Sequence, residues 1–172
     1  MSQERGRQQK DKLEQISNEY SALHALFKKL TTYEEEMSAL NKNFSQQWLK
    51  IEKSEEVDYL KSSISSFSEA VFEAEDSRSE SLSHIKKYIL EPLKMYPLKI
   101  KKQKRSLSRN AKSAREDDRQ AEEIEERIRK YDEMHVADMK QLMLHLINAE
   151  MFFHCKSIQL FSDVYESIVN EN

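Results

Sequence analysis

The chain has 172 residues, of which 34% are charged and 38% are hydrophobic, and its formal net charge is −3. It contains one Gly, two Pro and one Cys, so it lacks the turn residues that a strand-rich fold needs and has no internal disulfide. No apolar run approaches the ~20 residues of a membrane span, and the start MSQERGRQQK is too polar for a signal peptide. We therefore expect a cytosolic protein built from a few long helices.

Apolar residues recurring every seven positions predict a first helix over about residues 8–52, with residues 1–12 as a polar leader. A repeat of 3.5 residues keeps such positions on one seam and is typical of a coiled coil. The polar exceptions Glu34 and Asn41 could fix the register of the helices, but tolerance near an exposed edge is the favoured interpretation. The two sets of seam positions are Leu13, Tyr20, Phe27, Glu34, Asn41, Trp48, and Ile16, Leu23, Leu30, Met37, Phe44, Ile51.

A second apolar stripe predicts a helix over about residues 56–110. Pro92 and Pro97 fall inside it, and each lacks an N–H and crowds the preceding turn, so they predict a kink. The stripe is Val57, Leu60, Ile64, Phe67, Val71, Ala74, Ile85, then Tyr88 or Ile89, and it resumes at Ile100, Leu107, Ala111 and Ala114.

A third helix is predicted over about residues 117–170. Together the three helices predict one all-α domain, residues 13–170: an elongated antiparallel three-helix coiled-coil bundle with a kinked second helix. The third helix carries a second apolar face after Met139 that is too wide for two neighbours, so we predict a homodimer rather than tighter packing within a monomer. The predicted dimer-interface residues are Phe27, Leu30, Phe67, Val71, Met143, Ile147, Met151, Ile158 and Phe161.

No catalytic or metal-binding constellation is found, so no enzyme and no cofactor is predicted. A phosphate-binding loop needs several glycines, and a di-metal bundle needs a carboxylate three residues before a histidine on two helices. Only Asp132 precedes a histidine in this way, at His135. Cys155 is interpreted as a small buried apolar residue, and the histidines as core or boundary residues.

Several segments resemble the Chibby-interacting BAR-domain family. They are ISNEY near the start, FSEAVFEAEDSRSESL, ILEPLKMYPLKIKKQKRSL (residues 89–107) and AEMFFHCKSIQLFSDVYESI (residues 149–168). The resemblance implies a crescent-shaped homodimer that binds anionic, phosphoinositide-containing membranes and senses or makes curvature. It also implies a Chibby-like small coiled-coil partner and a location at centrioles and ciliary bases, with a mitochondrial role also attributed. The stretch between Glu91-Pro92-Leu93-Lys94 and Glu150 is shorter than expected of the family, which implies shorter arms.

The segment from residue 94 to residue 115 carries nine Lys or Arg and no acid, although the chain is acidic overall. It could be a solvated face neutralised by the acidic start of the third helix, a nucleic-acid site or a membrane site. The absence of aromatic residues between Ile100 and Arg115 disfavours nucleic acid, because no base could stack there. The predicted membrane-binding residues are Lys94, Lys99, Lys101, Lys102, Lys104, Arg105, Arg109, Lys112 and Arg115.

The function predicted from these features is that of a non-enzymatic peripheral membrane protein. Its homodimer would bring two basic segments to one anionic membrane, at about 1 kcal/mol for each basic residue near the leaflet. The alternative is a coiled-coil scaffold or adaptor that binds only other proteins, because a heptad-patterned rod suits both functions.

Overall fold

The computed structural model describes the backbone of residues 2–113 and 118–170, and the side chains of residues 7–105, 122 and 125–170. These residues form helices α1 (Ser2–Ser54), α2 (Asp58–Ile85), α3 (Glu91–Ser113) and α4 (Asp118–Asn170), with a π-helical turn at Lys86–Leu90 between α2 and α3. The described residues contain no strand, and the predicted all-α class is confirmed. No described helix has a stretch long and apolar enough to cross a membrane.

Helix α1 is longer than predicted at its start, where it includes residues of the expected polar leader. It ends at Ser54, and the Glu55 carboxylate then accepts hydrogen bonds from the backbone N–H groups of Glu56 and Val57 at 2.9 and 3.0 Å. These bonds satisfy donors at the break, and the Lys61 N–H to Val57 carbonyl bond of 3.0 Å opens α2.

The π-helical turn lies directly before the two prolines. Pro92 has no N–H and its ring crowds the carbonyl four residues earlier, so the regular ladder cannot run unchanged through this point. A π turn, in which bonds span five residues, is one way in which a helix absorbs such a disruption. Helix α3 then continues through Pro97. The irregularity therefore occurs where the sequence predicted a kink.

The chain divides into two compact units. The tyrosine unit comprises Met1–Lys28 and Lys87–Leu144, and the serine unit comprises Lys29–Lys86 and His145–Asn172. Each unit contains parts of α1 and α4, with α3 in the tyrosine unit and α2 in the serine unit.

The core of the tyrosine unit is made of large side chains. Tyr20 and Tyr96 stack with their ring centroids 4.0 Å apart, and the Tyr96 hydroxyl lies 2.7 Å from Nδ1 of His135. Burial raises the pKa of Tyr131 to about 12 and also raises the pKa of Tyr20 and Tyr96. The buried apolar residues of α1, α3 and α4 here are Leu13, Tyr20, Leu93, Tyr96, Ile100, Tyr131 and Leu142.

The core of the serine unit combines many small side chains with the larger Ile64, Val71, Leu82 and Ile85. Ser45 and Ser68 are both fully buried, and the Ser45 hydroxyl donates to the Ser68 carbonyl at 2.9 Å. On the other side of α2, the Ser81 hydroxyl donates to the Ala149 carbonyl of α4 at 2.9 Å. The small residues buried in this unit are Thr31, Ser38, Ser45, Ser63, Ser68, Ala70, Ala74, Ser81 and Ala149.

The two polar seam positions of α1 are part of an ion-pair network, so their interpretation as residues tolerated near an exposed edge was wrong. Glu34 pairs with Arg78, and Asn41 donates to the Glu75 carboxylate at 2.7 Å. Arg78 also donates to Glu75 at 2.9 Å, and its guanidinium lies 4.1 Å from the centre of the Phe153 ring. Because Glu75 is buried, these partners offset the cost of removing its charge from water.

Candidate functional site

Helix α3 turns one side toward the core of the tyrosine unit and the other toward solvent. Leu93, Tyr96 and Ile100 are buried, at 0%, 2% and 1% exposure. At about 100° per residue, Lys101, Lys102 and Arg105 lie on the opposite side of the helix. All three side chains are exposed. We call Lys101, Lys102 and Arg105 the cationic face.

Other predicted membrane-binding lysines are engaged by carboxylates of the same unit. Lys99 Nζ lies 2.9 Å from Asp138 on α4, and Lys104 Nζ lies 2.8 Å from Glu14 on α1. The hydrogen bond from Lys104 lowers the pKa of Glu14. These two lysines sit on the flanks of α3, where they tie it to its neighbours.

The cationic face differs from these lysines, because no carboxylate of the described residues pairs with Lys101, Lys102 or Arg105. Lys94, two to three turns earlier, is 3.6 Å from Glu91 on the same helix, and both are exposed. Among the described residues of α3, the positive charge without a carboxylate partner is therefore that of Lys101, Lys102 and Arg105.

The remaining predicted membrane-binding residues follow Arg105 in the chain. The side chains of Arg109 and Lys112 and the whole of Arg115 lie outside the described residues. The acidic start of the third helix, suggested as a neutralising partner, is described in part, with the side chains of Glu122, Glu125 and Glu126. Of these, Glu126 pairs with Arg129 at 2.5 Å and Lys130 at 3.3 Å, both on α4 itself.

The residues predicted at a dimer interface differ in how far the chain itself covers them. Val71 is buried within the serine unit, and Phe27 and Phe67 are half-buried. Phe67 meets Trp48 at a centroid distance of 5.7 Å and Phe161 at 6.5 Å. The exposed ones are Leu30, Met143, Ile147, Met151, Ile158 and Phe161, at 45%, 52%, 51%, 58%, 67% and 40%.

Seam residues of α1 in the serine unit are exposed as well. Met37, Phe44 and Ile51, which follow Leu30 at intervals of seven, are 51%, 51% and 42% exposed. A shallow groove of about 520 Å³ on α4 is lined by His154, Ile158, Phe161 and Tyr165, among others. The serine unit thus presents apolar surface on both α1 and α4, and we call the exposed residues Leu30, Met37, Phe44, Ile147, Met151, Ile158 and Phe161 the apolar face.

His135 and Asp132, the pair with the spacing of a metal-binding motif, make contacts within the tyrosine unit. His135 is held between Tyr20 and Tyr96, and Asp132 pairs with Lys12 at 3.4 Å. Cys155 is exposed, so its interpretation as a buried residue was wrong; it lies on a side of α4 that no neighbour covers. Among the described side chains, no three His, Cys, Asp or Glu come together as metal ligands.

Residues 107–172 match the model of the FAM92 protein family. This family consists of BAR-domain-like proteins that interact with Chibby. No curated protein matches the chain. The match confirms the resemblance to the Chibby-interacting BAR-domain family, and the matched stretch runs from the last turns of α3 through α4.

Proposed function

We propose, from the FAM92 match of residues 107–172, that this chain is a non-enzymatic peripheral membrane protein. As a BAR-like homodimer it binds anionic, phosphoinositide-containing membranes through α3 and senses or generates curvature. The observation that supports this most directly is the cationic face, because three exposed cations stand together with no carboxylate partner among the described residues.

The charge of this face suits a weak and reversible attachment. Each basic side chain close to an anionic leaflet contributes about 1 kcal/mol, so Lys101, Lys102 and Arg105 supply about 3 kcal/mol per subunit. A dimer that brings two such faces to one membrane gains avidity without any new contact. Lys99 and Lys104 contribute less, because their charges are already balanced by Asp138 and Glu14.

The dimer is supported by the apolar face of the serine unit. Surface of this kind, on two helices of one unit, exceeds the scattered apolar residues that a monomer normally exposes. A second copy of the chain offers the same surface, and a two-fold interface joins identical patches. The crescent shape follows from the family resemblance alone.

The partner and the cellular location are proposed by the same route. A Chibby-like small coiled-coil protein is the proposed partner, because FAM92 proteins interact with Chibby. The centriole and ciliary base are the proposed sites of action.

The test is the reversal of the cationic face. The variant Lys101→Glu, Lys102→Glu, Arg105→Glu should bind phosphatidylserine- and phosphoinositide-containing vesicles at least about a hundredfold more weakly, since attraction becomes repulsion. Co-sedimentation measures the binding. Circular dichroism should show unchanged helicity, because these side chains are exposed.

The matched control is Lys50→Glu, Lys53→Glu, Lys156→Glu in the serine unit, which changes the net charge by the same amount. It should bind as the wild type does. Equal losses in both variants would show that only overall charge matters, and wild type that never sediments with anionic vesicles would contradict the membrane function.

A second candidate function is a scaffold that binds only proteins through coiled-coil packing. It is favoured by Leu30, Met37, Phe44 and Ile51, which repeat every seven residues on α1 and are all exposed. If the wild type forms dimers or binds a Chibby-like partner but ignores anionic vesicles, this function replaces the first.

A further inference from the structure

The solvent side of α3 carries apolar residues as well as charge. Leu98 is 58% exposed and Met95 is 48% exposed. At about 100° per residue, Lys94, Met95, Lys101, Lys102 and Arg105 all lie within about 60° of Leu98 around the helix. Leu98 is therefore at the centre of the side that faces away from the core.

These two residues have no role in the core of the tyrosine unit. The side chains of α3 that fill the core are Leu93, Tyr96 and Ile100, which are at most 2% exposed. Met95 and Leu98 point the opposite way, and α3 is held in this orientation from both flanks by the Lys99–Asp138 and Lys104–Glu14 pairs. The apolar pair is thus presented on a helix whose rotation is fixed.

The surrounding charge indicates what covers the pair. An apolar protein partner would be opposed by Lys101, Lys102 and Arg105, whose charges it would have to remove from water. An anionic lipid surface places phosphates at the level of these charges and acyl chains just below them. Lys and Arg side chains are long enough to reach the headgroups while a leucine on the same helix face lies deeper.

We propose that Leu98, with Met95 beside it, inserts between the headgroups of an anionic leaflet when α3 binds. This inference rests on the proposed membrane function and adds a second, apolar component to it. Glu91 and Lys94 pair with each other at the start of α3, so the cationic face supplies the attraction to the anionic leaflet. Leu98 lies about one turn before Lys101, next to this face along the helix. Attachment then has a part that salt screens and a part that salt leaves intact.

Insertion can be followed at Leu98 itself. In a Cys155→Ser background, which removes the only cysteine, Leu98→Cys is labelled with an environment-sensitive NBD dye. On vesicles of phosphatidylcholine and phosphatidylserine, the dye emission should shift to the blue and be quenched by lipids carrying nitroxide groups near the headgroup. The matched control is labelled Val136→Cys, which is 50% exposed on α4 of the same unit and should show neither change.

The labelled protein separates this inference from the proposed function. Vesicle co-sedimentation without a blue shift at position 98 overturns insertion and leaves electrostatic binding in place. An equal shift at position 136 also overturns it, because the contact would not be specific to α3. Absence of co-sedimentation overturns both.

An unlabelled variant provides an independent measurement. The variant Met95→Ser, Leu98→Ser should bind the same vesicles about tenfold more weakly than the wild type, since two apolar side chains no longer become buried in the leaflet. The loss should persist in high salt, unlike that of the charge-reversed variant. Met134→Ser, Val136→Ser is the control and should bind as the wild type does, and equal binding by the two serine variants would contradict the inference.

Discussion

The two units of the chain differ in the side chains that fill their cores. The tyrosine unit buries tyrosine, leucine and isoleucine and exposes charge on α3. The serine unit buries small residues such as Ser45, Ser68 and Ala74 beside its aliphatic residues, and it exposes Met37, Phe44 and other large apolar residues. One set of helices thus supports two different kinds of packing.

The two cores are stabilised in different ways. Large interlocking side chains remove much apolar area from water, so the tyrosine unit is well supplied with its own stabilisation. Small side chains allow two helices to pack close together. They bury less apolar area, but they can add hydrogen bonds between the helices, such as that from the Ser45 hydroxyl to the Ser68 carbonyl. The serine unit also exposes large apolar residues such as Met37, Phe44 and Ile158, which the second chain of the proposed dimer would cover.

The largest effect is expected from charges placed on the apolar face of the serine unit. Met151→Asp, Ile158→Asp should weaken the proposed dimer by at least about 6 kcal/mol, because each change enters a two-fold interface twice. Sedimentation equilibrium should give the monomer mass. Met134→Asp, Val136→Asp, in exposed positions of the tyrosine unit, should leave the dimer intact, and a dimer in both variants would show that the apolar face is not the interface.

A somewhat smaller effect is expected in the core of the tyrosine unit. Tyr96→Ala should lower the free energy of unfolding by about 3–5 kcal/mol, because it removes a ring that stacks on Tyr20 and leaves a cavity. Urea denaturation measures the loss. Tyr33→Ala is the control in the serine unit, where the ring is 57% exposed, and it should cost less than about 0.5 kcal/mol.

Alkaline pH should destabilise the protein through a buried tyrosine of the tyrosine unit. The raised pKa of Tyr131, about 12, means that the folded protein keeps its proton where the unfolded chain has lost it. Stability is then fully present below pH ~10 and falls as the pH rises toward 12, by about 1–3 kcal/mol for this residue. Tyr131→Phe should lessen the fall, as followed by urea denaturation between pH 9 and 12.

Absorbance at the tyrosinate band provides a second readout of the same titration. Burial raises the pKa values of Tyr20, Tyr96 and Tyr131, so these tyrosines should ionise only above the ordinary tyrosine range or on unfolding. Ionisation of these three tyrosines near pH 10 in the folded protein would contradict the described core.

The smallest effect is expected from the serine core. Ser45→Ala should cost about 1 kcal/mol, because the Ser68 carbonyl loses one hydrogen-bond donor. Ser62→Ala, at an exposed position of α2, should be neutral. Ser45→Leu should cost more than Ser45→Ala, since no space is left between α1 and α2, and an equal or smaller cost would show that the helices are not in close contact here.

Hydrophobic periodicity was enough to predict the fold class. Of the predicted inward stripe of α3, the side chains of Leu107, Ala111 and Ala114 lie outside the described residues. Ile100 is buried as its place in that stripe predicts, and the second apolar face of α4 is exposed, as its excess width suggested. Periodicity failed where the buried residues are polar. Thr31, Ser38 and Ser45 also recur every seven residues on α1, but small hydroxyl residues are as common on a surface as in a close helix contact.

The candidate site was predictable as a region and not as a set of residues. A run of Lys and Arg marks the basic part of α3, yet its useful charge depends on which lysines meet acids from other helices. Lys99 meets Asp138, 39 residues away, and Lys104 meets Glu14, 90 residues away. Such pairs depend on how distant segments are packed, which the local pattern does not contain.

The chemistry of the cationic face has a consequence for its control. The stretch from Lys94 to Arg105 contains no histidine, the side chain whose charge most often changes within the range of cellular pH. The cationic face therefore lacks the residue type on which pH switches are usually built. If the cationic face binds lipid as proposed, the charge of the membrane sets the timing of attachment. That charge is changed by enzymes that add phosphate to lipid headgroups or remove it.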